Sequence, residues 1–227
     1  MLGNKRAEGV FIVAVFVNIL AYYISFVAVH AKRSDIYFLY LHVPPAWVCY
    51  MAFTISLVSS IMFLVKHKRS YDVIAENAAI IGLLFGAIAL LIGSIWAKLA
   101  WGSFWNWDPR ETATLILWLV YMGYVVLKLS IENAEKRATI GAVYNIFAFS
   151  TVPLSYLSVE FGFSQHQSAS EVLPQMSEVV KSALIFDLFA VTLLFIALML
   201  LIWEVKSLEE RADMLSIAVS GGVRDDI

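Results

Sequence analysis

The chain has 227 residues, of which 61% are hydrophobic and only 15% are charged, and its mean hydropathy is +0.79. A typical soluble domain is about 45–50% apolar and about 25% charged, so this composition excludes an ordinary soluble domain and a disordered chain. A net charge of −2 without a basic block excludes a nucleic-acid-binding protein. The composition is that of an integral membrane protein.

Six segments are long and apolar enough to be membrane helices, each of which needs roughly 20 mostly apolar residues. Pro44 and Pro45 open the second segment and predict that its helix begins there, and the fourth helix is expected to begin near Asp108. The predicted fold class is therefore all-α, a polytopic membrane protein with six transmembrane helices. The segments are Gly9–Val29, Val43–Val65, Ala78–Ala97, Thr112–Leu127, Thr139–Val159 and Ser182–Trp203.

The distribution of basic residues predicts the orientation of these helices. Eleven Lys and Arg residues lie in the N-terminus, the second and fourth loops and the C-terminal tail, against five on the other side. The positive-inside rule then places both termini in the cytoplasm. The predicted organisation is a cytoplasmic N-terminus at 1–8, a membrane domain at 9–203 with an outer loop at about 98–112, and a cytoplasmic tail at 204–227.

The outer loop before the fourth helix is rich in tryptophan. Residues 101–112 read Trp-Gly-Ser-Phe-Trp-Asn-Trp-Asp-Pro-Arg-Glu-Thr, and five of the seven Trp lie between Trp96 and Trp118. An aromatic belt at the membrane surface would explain the two outermost rings. Such a belt does not explain why four aromatic side chains lie in one short loop. A cluster of this kind indicates a binding surface for a large, flat, apolar ligand. These four are Trp101, Phe104, Trp105 and Trp107.

The residues that follow form a helix-start pattern. Asp108 suits the N-cap, Pro109 the first helical position, and Glu111 completes a capping box. This pattern does not explain Arg110. Arg110 lies beside the N-terminus of a helix, where the helix dipole favours a bound anion. Two partners are therefore open for Arg110: a carboxylate of the ligand, or a local ion pair with Asp108 or Glu111.

Three of the four histidines, His30, His42 and His166, lie on the outer side by the parity of the helices alone, whereas His67 lies in a basic inner loop and is expected to be solvated. A single histidine of this kind is more often an interfacial or capping residue than a ligand. Two neutral imidazoles near an aromatic surface, however, match an axial pair for haem iron. A zinc site would need a third or fourth ligand.

Asp187 is the one acid within the last hydrophobic segment. An acid inside a membrane helix can mark a functional site. Alternatively, a position about one turn from the helix end would allow its carboxylate to reach the interface. Both interpretations stay open on the sequence.

The motif Trp-Gly-x-Phe-Trp-x-Trp-Asp-Pro-Arg-Glu-Thr resembles the tryptophan-rich "WWD" domain of the haem-handling proteins of cytochrome c maturation. Three branches share it: haem exporter protein C (CcmC), the larger CcmF and the CcsA-type cytochrome c synthases. Six spans, with one outer histidine before the motif in Leu-His-Val-Pro-x-Ala-Trp and one after it, resemble the CcmC branch over about residues 10–205. The two family histidines correspond to His42 and His166. The family has a second characteristic segment, and Ser158–Glu160 of this chain matches its beginning. Where that segment continues with an aromatic pair, this chain has Phe161-Gly162.

The resemblance implies that the chain binds haem at the outer, periplasmic face of the inner (plasma) membrane and passes it to a CcmE-like haem chaperone. The implied partners are CcmA/CcmB-like subunits of an ATP-binding-cassette transporter and a small CcmD-like membrane protein. Without a Cys-x-x-Cys-His motif the haem would be b-type and non-covalent. His42 and His166 would ligate iron, and the chain would not be an enzyme. The implied porphyrin contacts are Trp101, Phe104, Trp105, Trp107, Asp108 and Arg110.

Two other functions are weighed against haem transfer. A CcsA-type haem lyase would attach haem to apocytochrome cysteines, but the chain is short and lacks extra spans or a large outer domain. A solute permease would need polar residues at the membrane midplane and paired broken helices, and the segments offer almost none.

Overall fold

The computed structural model describes residues 2–28, 36–161 and 163–222, and every regular element within these ranges is a helix. Six helical stretches are long and apolar enough to cross a membrane. The predicted fold class, an all-α protein with six transmembrane helices, is confirmed.

The first four spans are single helices, and the fifth combines two. Helix α1 continues into a π-helical turn at Ile24–Ala28, and α6 ends in a 3-10 turn at Ser158–Phe161. Helices α5 and α6 together form the fifth span, α7 is a short surface helix, and α8 forms the sixth. The helices are α1 Leu2–Tyr23, α2 Ile36–Lys66, α3 Arg69–Trp101, α4 Pro109–Ser130, α5 Ala134–Ala148, α6 Thr151–Leu157, α7 Ala169–Val172 and α8 Glu178–Gly222.

The predicted start of α2 is wrong. The helix begins at Ile36, so Pro44 and Pro45 lie inside it and His42 is a helical residue rather than one preceding the helix. Proline inside a helix removes a backbone hydrogen bond and is usually unfavourable. Here Tyr40 is fully buried against α8, which stabilises the turns before the prolines through tertiary packing.

Three other helices extend beyond the segments that hydropathy predicts. Helix α1 begins at Leu2, α3 spans Arg69–Trp101, and α8 runs from Glu178 to Gly222 through most of the predicted tail. Hydropathy marks only the apolar part of a helix, whereas backbone hydrogen bonding continues into polar residues. The predicted start of α4 near Asp108 is confirmed, since Asp108 is the N-cap of Pro109–Ser130.

The centre of the bundle is the antiparallel pair α2 and α3. A Cβ atom on Gly82 would lie 2.7 Å from Phe53, and one on Gly86 would lie 3.0 Å from Cys49. These glycines therefore permit the close helix packing that their spacing predicts. Trp118 also packs here and donates its ring N–H to the Leu83 carbonyl at 2.9 Å, which places it inside the bundle rather than in an interfacial belt.

Helix α1 packs against α8 on one side of this pair. Asp187 of α8 is 2% exposed and accepts a hydrogen bond of 2.7 Å from Ser25 in the π-helical turn. The expectation that its carboxylate could reach the interface is wrong, because α8 begins earlier than Ser182 and carries Asp187 deeper into the bundle.

Candidate functional site

Both histidines singled out as ligands lie at the same end of the bundle, against the last turns of α3. The His42 ring meets Trp96 edge-on with centroids 5.8 Å apart. The His166 ring meets Trp101 edge-on with centroids 4.7 Å apart. The structure therefore brings together residues that are more than 120 positions apart in the sequence.

The partner of His42 defines which ring nitrogen is free. Nδ1 of His42 lies 2.9 Å from the carbonyl oxygen of Ala89. A carbonyl only accepts hydrogen bonds, so Nδ1 carries the hydrogen and Nε2 keeps its lone pair. Gly93 provides the space for this ring, since a Cβ there would lie 2.8 Å from Cε1 of His42.

His166 is held in the same manner by a carboxylate. Its Nδ1 lies 2.9 Å from Oδ1 of Asp108, whose side chain is 1% exposed. Burial lowers the pKa of His166 below its ordinary value; the hydrogen bond and charge of Asp108 offset this only in part, and Arg110 adds to the lowering. The ring is therefore neutral at pH 7, with Nε2 as the nitrogen that can bind a metal.

Asp108 joins the start of α4 to the loop that carries His166. Its carboxylate caps the helix by accepting a hydrogen bond from the N–H of Arg110 at 2.9 Å. The same carboxylate accepts three hydrogen bonds from the loop, which come from the hydroxyl of Ser164 at 3.0 Å, the N–H of Gln165 and the ring N–H of His166. Burial opposes ionisation, but the hydrogen bonds from Gln165, Arg110 and His166 outweigh it and lower the pKa of Asp108. The predicted N-cap is confirmed, and the carboxylate also positions His166.

Asn106 makes a second bridge between the two loops, and nothing in the sequence singled it out. Its side-chain N–H donates to Oε1 of Gln165, and its Oδ1 accepts the N–H of Asp108 at 3.1 Å. The N–H of Asn106 donates to Glu111 at 3.3 Å, so Glu111 also stabilises this turn. An asparagine between two tryptophans carries no local signal for such a role.

The aromatic loop presents three of its rings to the surroundings. Phe104 is 56% and Trp107 74% exposed, and Trp105 is half-buried with its ring edge-on to Trp107 at 6.0 Å. Trp107 has a φ of +61°, in the left-handed region that bulky residues avoid at a cost of about 1–3 kcal/mol. The hydrogen bonds on either side of Trp107 hold it in this conformation. Trp101, the fourth ring, contacts His166 instead.

The preceding turn fixes the position of Phe104. Gly102 ends α3 in the left-handed conformation, with a φ of +85°. Lys98 donates to the Gly102 carbonyl at 2.8 Å and lies over the Phe104 ring, and Ser94 donates to the Phe104 carbonyl at 2.8 Å. The exposed ring is thus held by α3 itself.

Arg110 forms neither of the local ion pairs considered for it. Its guanidinium donates to the Tyr156 carbonyl at 3.1 Å and lies over the ring of the same residue at 5.5 Å. Its charge is within electrostatic range of both His42 and His166. This contact uses one of five guanidinium donors, so others remain for an anionic group.

The remaining histidines lie elsewhere. His67 is exposed between α2 and α3, at the opposite end of the bundle, and its predicted solvation is confirmed. His30, the side chain of Phe161 and Gly162 lie outside the described residues. Within the described ranges, no group of three or more His, Cys, Asp or Glu residues is arranged to hold a metal ion.

Comparison with known proteins gives the family. A family model described as "Heme exporter protein C" matches residues 2–218. The chain belongs to the haem exporter protein C family. Curated relatives named "Heme exporter protein C" include one from Bradyrhizobium diazoefficiens, which is 34% identical over 191 residues, covering 83% of this chain and 73% of the relative.

Two further haem exporter proteins C show the same extent of similarity. The relative from Rhodobacter capsulatus is 32% identical, with 78% of this chain and 77% of the relative covered. The relative from Paracoccus denitrificans is 34% identical, with 76% of this chain and 73% of the relative covered. The assignment to the haem exporter protein C branch, made on the aromatic motif and the two histidines, is confirmed.

Proposed function

We propose that this protein binds haem between His42 and His166 and passes it on without making or breaking a covalent bond. One observation carries the proposal: each histidine donates its Nδ1 hydrogen to a fixed acceptor and leaves Nε2 free. Metal-ligating histidines almost always hold their second nitrogen in this way, which fixes the ring and raises its basicity. Two such rings beside exposed aromatic side chains suit an iron porphyrin.

The two ligands differ in the charge of their acceptors. Ala89 offers His42 a neutral carbonyl, whereas Asp108 offers His166 a carboxylate. A carboxylate makes the imidazole a stronger electron donor, so His166 is the stronger proposed ligand. Asp108 is buried and already bonded four times, and we therefore assign it the role of positioning His166 rather than touching the porphyrin.

The aromatic rings are proposed to hold the porphyrin plane. Trp101 lies beside His166, the proposed iron ligand, and Phe104, Trp105 and Trp107 extend the apolar surface outward. Stacking and edge contacts with such rings suit a flat apolar ligand. Because Phe104 and Trp107 are largely exposed, a partner protein can reach a haem bound there. Arg110 is the proposed partner of a haem propionate.

We infer from family membership that the cargo is non-covalent b-type haem used in cytochrome c maturation. The proposed recipient is a CcmE-like chaperone, and the proposed membrane partners are CcmA/CcmB-like transporter subunits and a CcmD-like protein. Basic residues are in excess in the N-terminus, the second and fourth loops and the C-terminal tail, which all lie on one side of the membrane domain. This excess supports an inner-membrane protein with cytoplasmic termini and a periplasmic haem site. A haem-lyase function is less well supported, because the relatives are named as exporter proteins.

The test is haem binding and transfer by the purified protein in detergent. Wild type is expected to take up one equivalent of haem with the absorption spectrum of bis-imidazole ligation, and to release it to a CcmE-like chaperone. The double variant His42→Ala/His166→Ala should lose this spectrum, and the His67→Ala control should keep it. Equal affinity and equal spectra for wild type and the double variant would exclude the proposed site.

A further inference from the structure

The end of the bundle opposite the histidines contains a cavity of about 350 Å³ between α3, α4, α5 and α8. Its polar lining is four cations and two acids. The proposed haem site does not use this cavity or any residue in it. The charged residues are Arg69, Lys128, Arg137, Lys206, Glu76 and Glu209.

The floor of this cavity is a preformed ion-pair network. Lys128 is 2% exposed and its ammonium lies 2.7 Å from Asp72 and 3.0 Å from Glu76. Gly141 of α5 admits the Lys128 side chain, since a Cβ there would lie 3.1 Å from its methylene carbons. The acids therefore neutralise the buried lysine and fix its position.

The two arginines of the cavity have no such partner. Among the described residues neither Arg69 nor Arg137 forms an ion pair, whereas Lys206 lies 4.0 Å from Glu76. The six charged lining residues carry a net charge of +2 by simple count, and Asp72 behind Lys128 reduces it to +1. Two unpaired guanidinium groups at one cavity indicate an anionic ligand, and guanidinium binds phosphate through paired hydrogen bonds.

The position of the cavity indicates a lipid. Glu76 and Trp96 are 20 residues apart on α3, which corresponds to about 30 Å, the thickness of the hydrocarbon core of a bilayer. With the histidine site at one surface, the cavity lies at the level of the opposite headgroups. Leu129 is 80% exposed at its rim and offers an apolar surface beside the cations.

We propose that this cavity binds the phosphate headgroup of an anionic phospholipid, with Arg69 and Arg137 as its ligands and Leu129 beside an acyl chain. Basic pockets between transmembrane helices recognise anionic headgroups in this way. A bound lipid would connect α3 and α5 through the two arginines at the surface opposite the proposed haem site.

The test is native mass spectrometry of the delipidated full chain in detergent, titrated separately with phosphatidylglycerol, phosphatidylcholine and inorganic phosphate. Wild type is expected to bind one phosphatidylglycerol more than the double variant Arg69→Gln/Arg137→Gln, whose affinity should fall about tenfold or more. The control Lys68→Gln/Lys136→Gln removes the same charge from neighbouring exposed positions outside the cavity and should bind like wild type.

Several results would overturn the proposal. These are equal phosphatidylglycerol binding by the arginine variant, equal binding of phosphatidylcholine at this site, or displacement of the lipid by inorganic phosphate, which would indicate a small anion instead. In a further titration with an acidic peptide, displacement of the lipid would also overturn the proposal and would indicate a protein partner instead. If the double variant does not fold, the same criteria apply to Arg69→Gln alone, because Arg69 is an exposed helix-start residue.

Discussion

At the residue scale, the two histidines illustrate how a neighbouring hydrogen-bond acceptor determines which ring nitrogen is free. His42 and His166 each have Nδ1 engaged, one by a backbone carbonyl and the other by Asp108. The lowered pKa of His166 keeps its ring neutral through pH 7. The ordinary pKa of a histidine ring is about 6.5. Ligation by His166 should therefore persist as the pH falls to about 6.5 and be lost only in more acidic solution, where the ring gains a proton.

Single substitutions of the two proposed ligands test their assignment. We expect His42→Ala and His166→Ala each to weaken haem retention or shift the Soret band, because each removes one proposed axial nitrogen. His67→Ala should change neither quantity, since His67 lies at the other end of the bundle. The same is expected of His30→Ala. Unchanged Soret bands in both ligand variants would contradict the assignment.

Asp108→Asn tests the positioning role of the carboxylate. The amide can still accept the Nδ1 hydrogen of His166, but it removes the negative charge that strengthens the ligand. We expect haem affinity to fall by about 10–100-fold and the haem reduction potential to rise. Potentiometric titration of the haem-loaded protein measures this. If the potential stays at the wild-type value while affinity falls, Asp108 acts only by holding the loop together.

At the element scale, the loop between α3 and α4 combines a strained backbone with exposed rings. Trp107 has a positive φ and is 74% exposed, an arrangement that costs energy and places a large apolar ring in contact with its surroundings. A ligand platform explains this better than core packing does.

The double variant Trp105→Ala/Trp107→Ala distinguishes a porphyrin platform from a membrane anchor. Loss of two stacking rings, at about 1–3 kcal/mol each by analogy with nucleobases, should lower haem affinity by tens-fold or more and abolish transfer to the chaperone. The measurement is haem per mole of folded, membrane-extracted protein, together with the fraction transferred. An anchor would instead reduce membrane insertion and leave both ratios at wild-type values.

The contact between α2 and α3 also controls the site. Gly93→Ala would place a Cβ 2.8 Å from the His42 ring and must displace it, although no ligand is removed. We expect a shifted Soret band and weaker haem binding. Gly9→Ala is the matched control, because a Cβ there meets nothing within 4 Å. A wild-type spectrum for Gly93→Ala would show that the position of His42 is unimportant for haem.

At the scale of the whole molecule, the bundle has two chemically different ends. One end carries the histidines and aromatic rings, and the other carries the ion-pair network of Asp72, Glu76 and Lys128. The basic residues of the second and fourth loops belong to the second end. Orientation in the membrane therefore decides which compartment the proposed haem site faces.

Reporter fusions test this orientation. Fusions after Arg69 and Arg137 should report the cytoplasm, and fusions after Ser103 and Ser168 should report the outside, because of the basic excess on one side. Alkaline phosphatase activity, which requires export, provides the measurement. An external signal at Arg137 would reverse the orientation and place the proposed haem site on the cytoplasmic face.

The sequence by itself determined the six spans, the start of α4 and the family. Long apolar segments have no alternative to helix in a membrane, and the N-cap role of Asp108 depends on its immediate neighbours. The aromatic motif and two histidines identified the branch because they are read directly along the chain. Local information was sufficient for each of these conclusions.

Only the tertiary structure decided how the site is held. Asp108 bonds His166 across 58 positions, His42 bonds Ala89 across 47, and Lys128 pairs with Asp72 across 56. Tyr40 likewise stabilises the turns before the prolines of α2 by packing on a helix about 140 residues later. Such contacts form only when distant helices meet, and their energy depends on geometry that no local pattern encodes. For this reason the sequence identified the two histidines as candidate ligands, and the fold determined which ring nitrogen of each one is free.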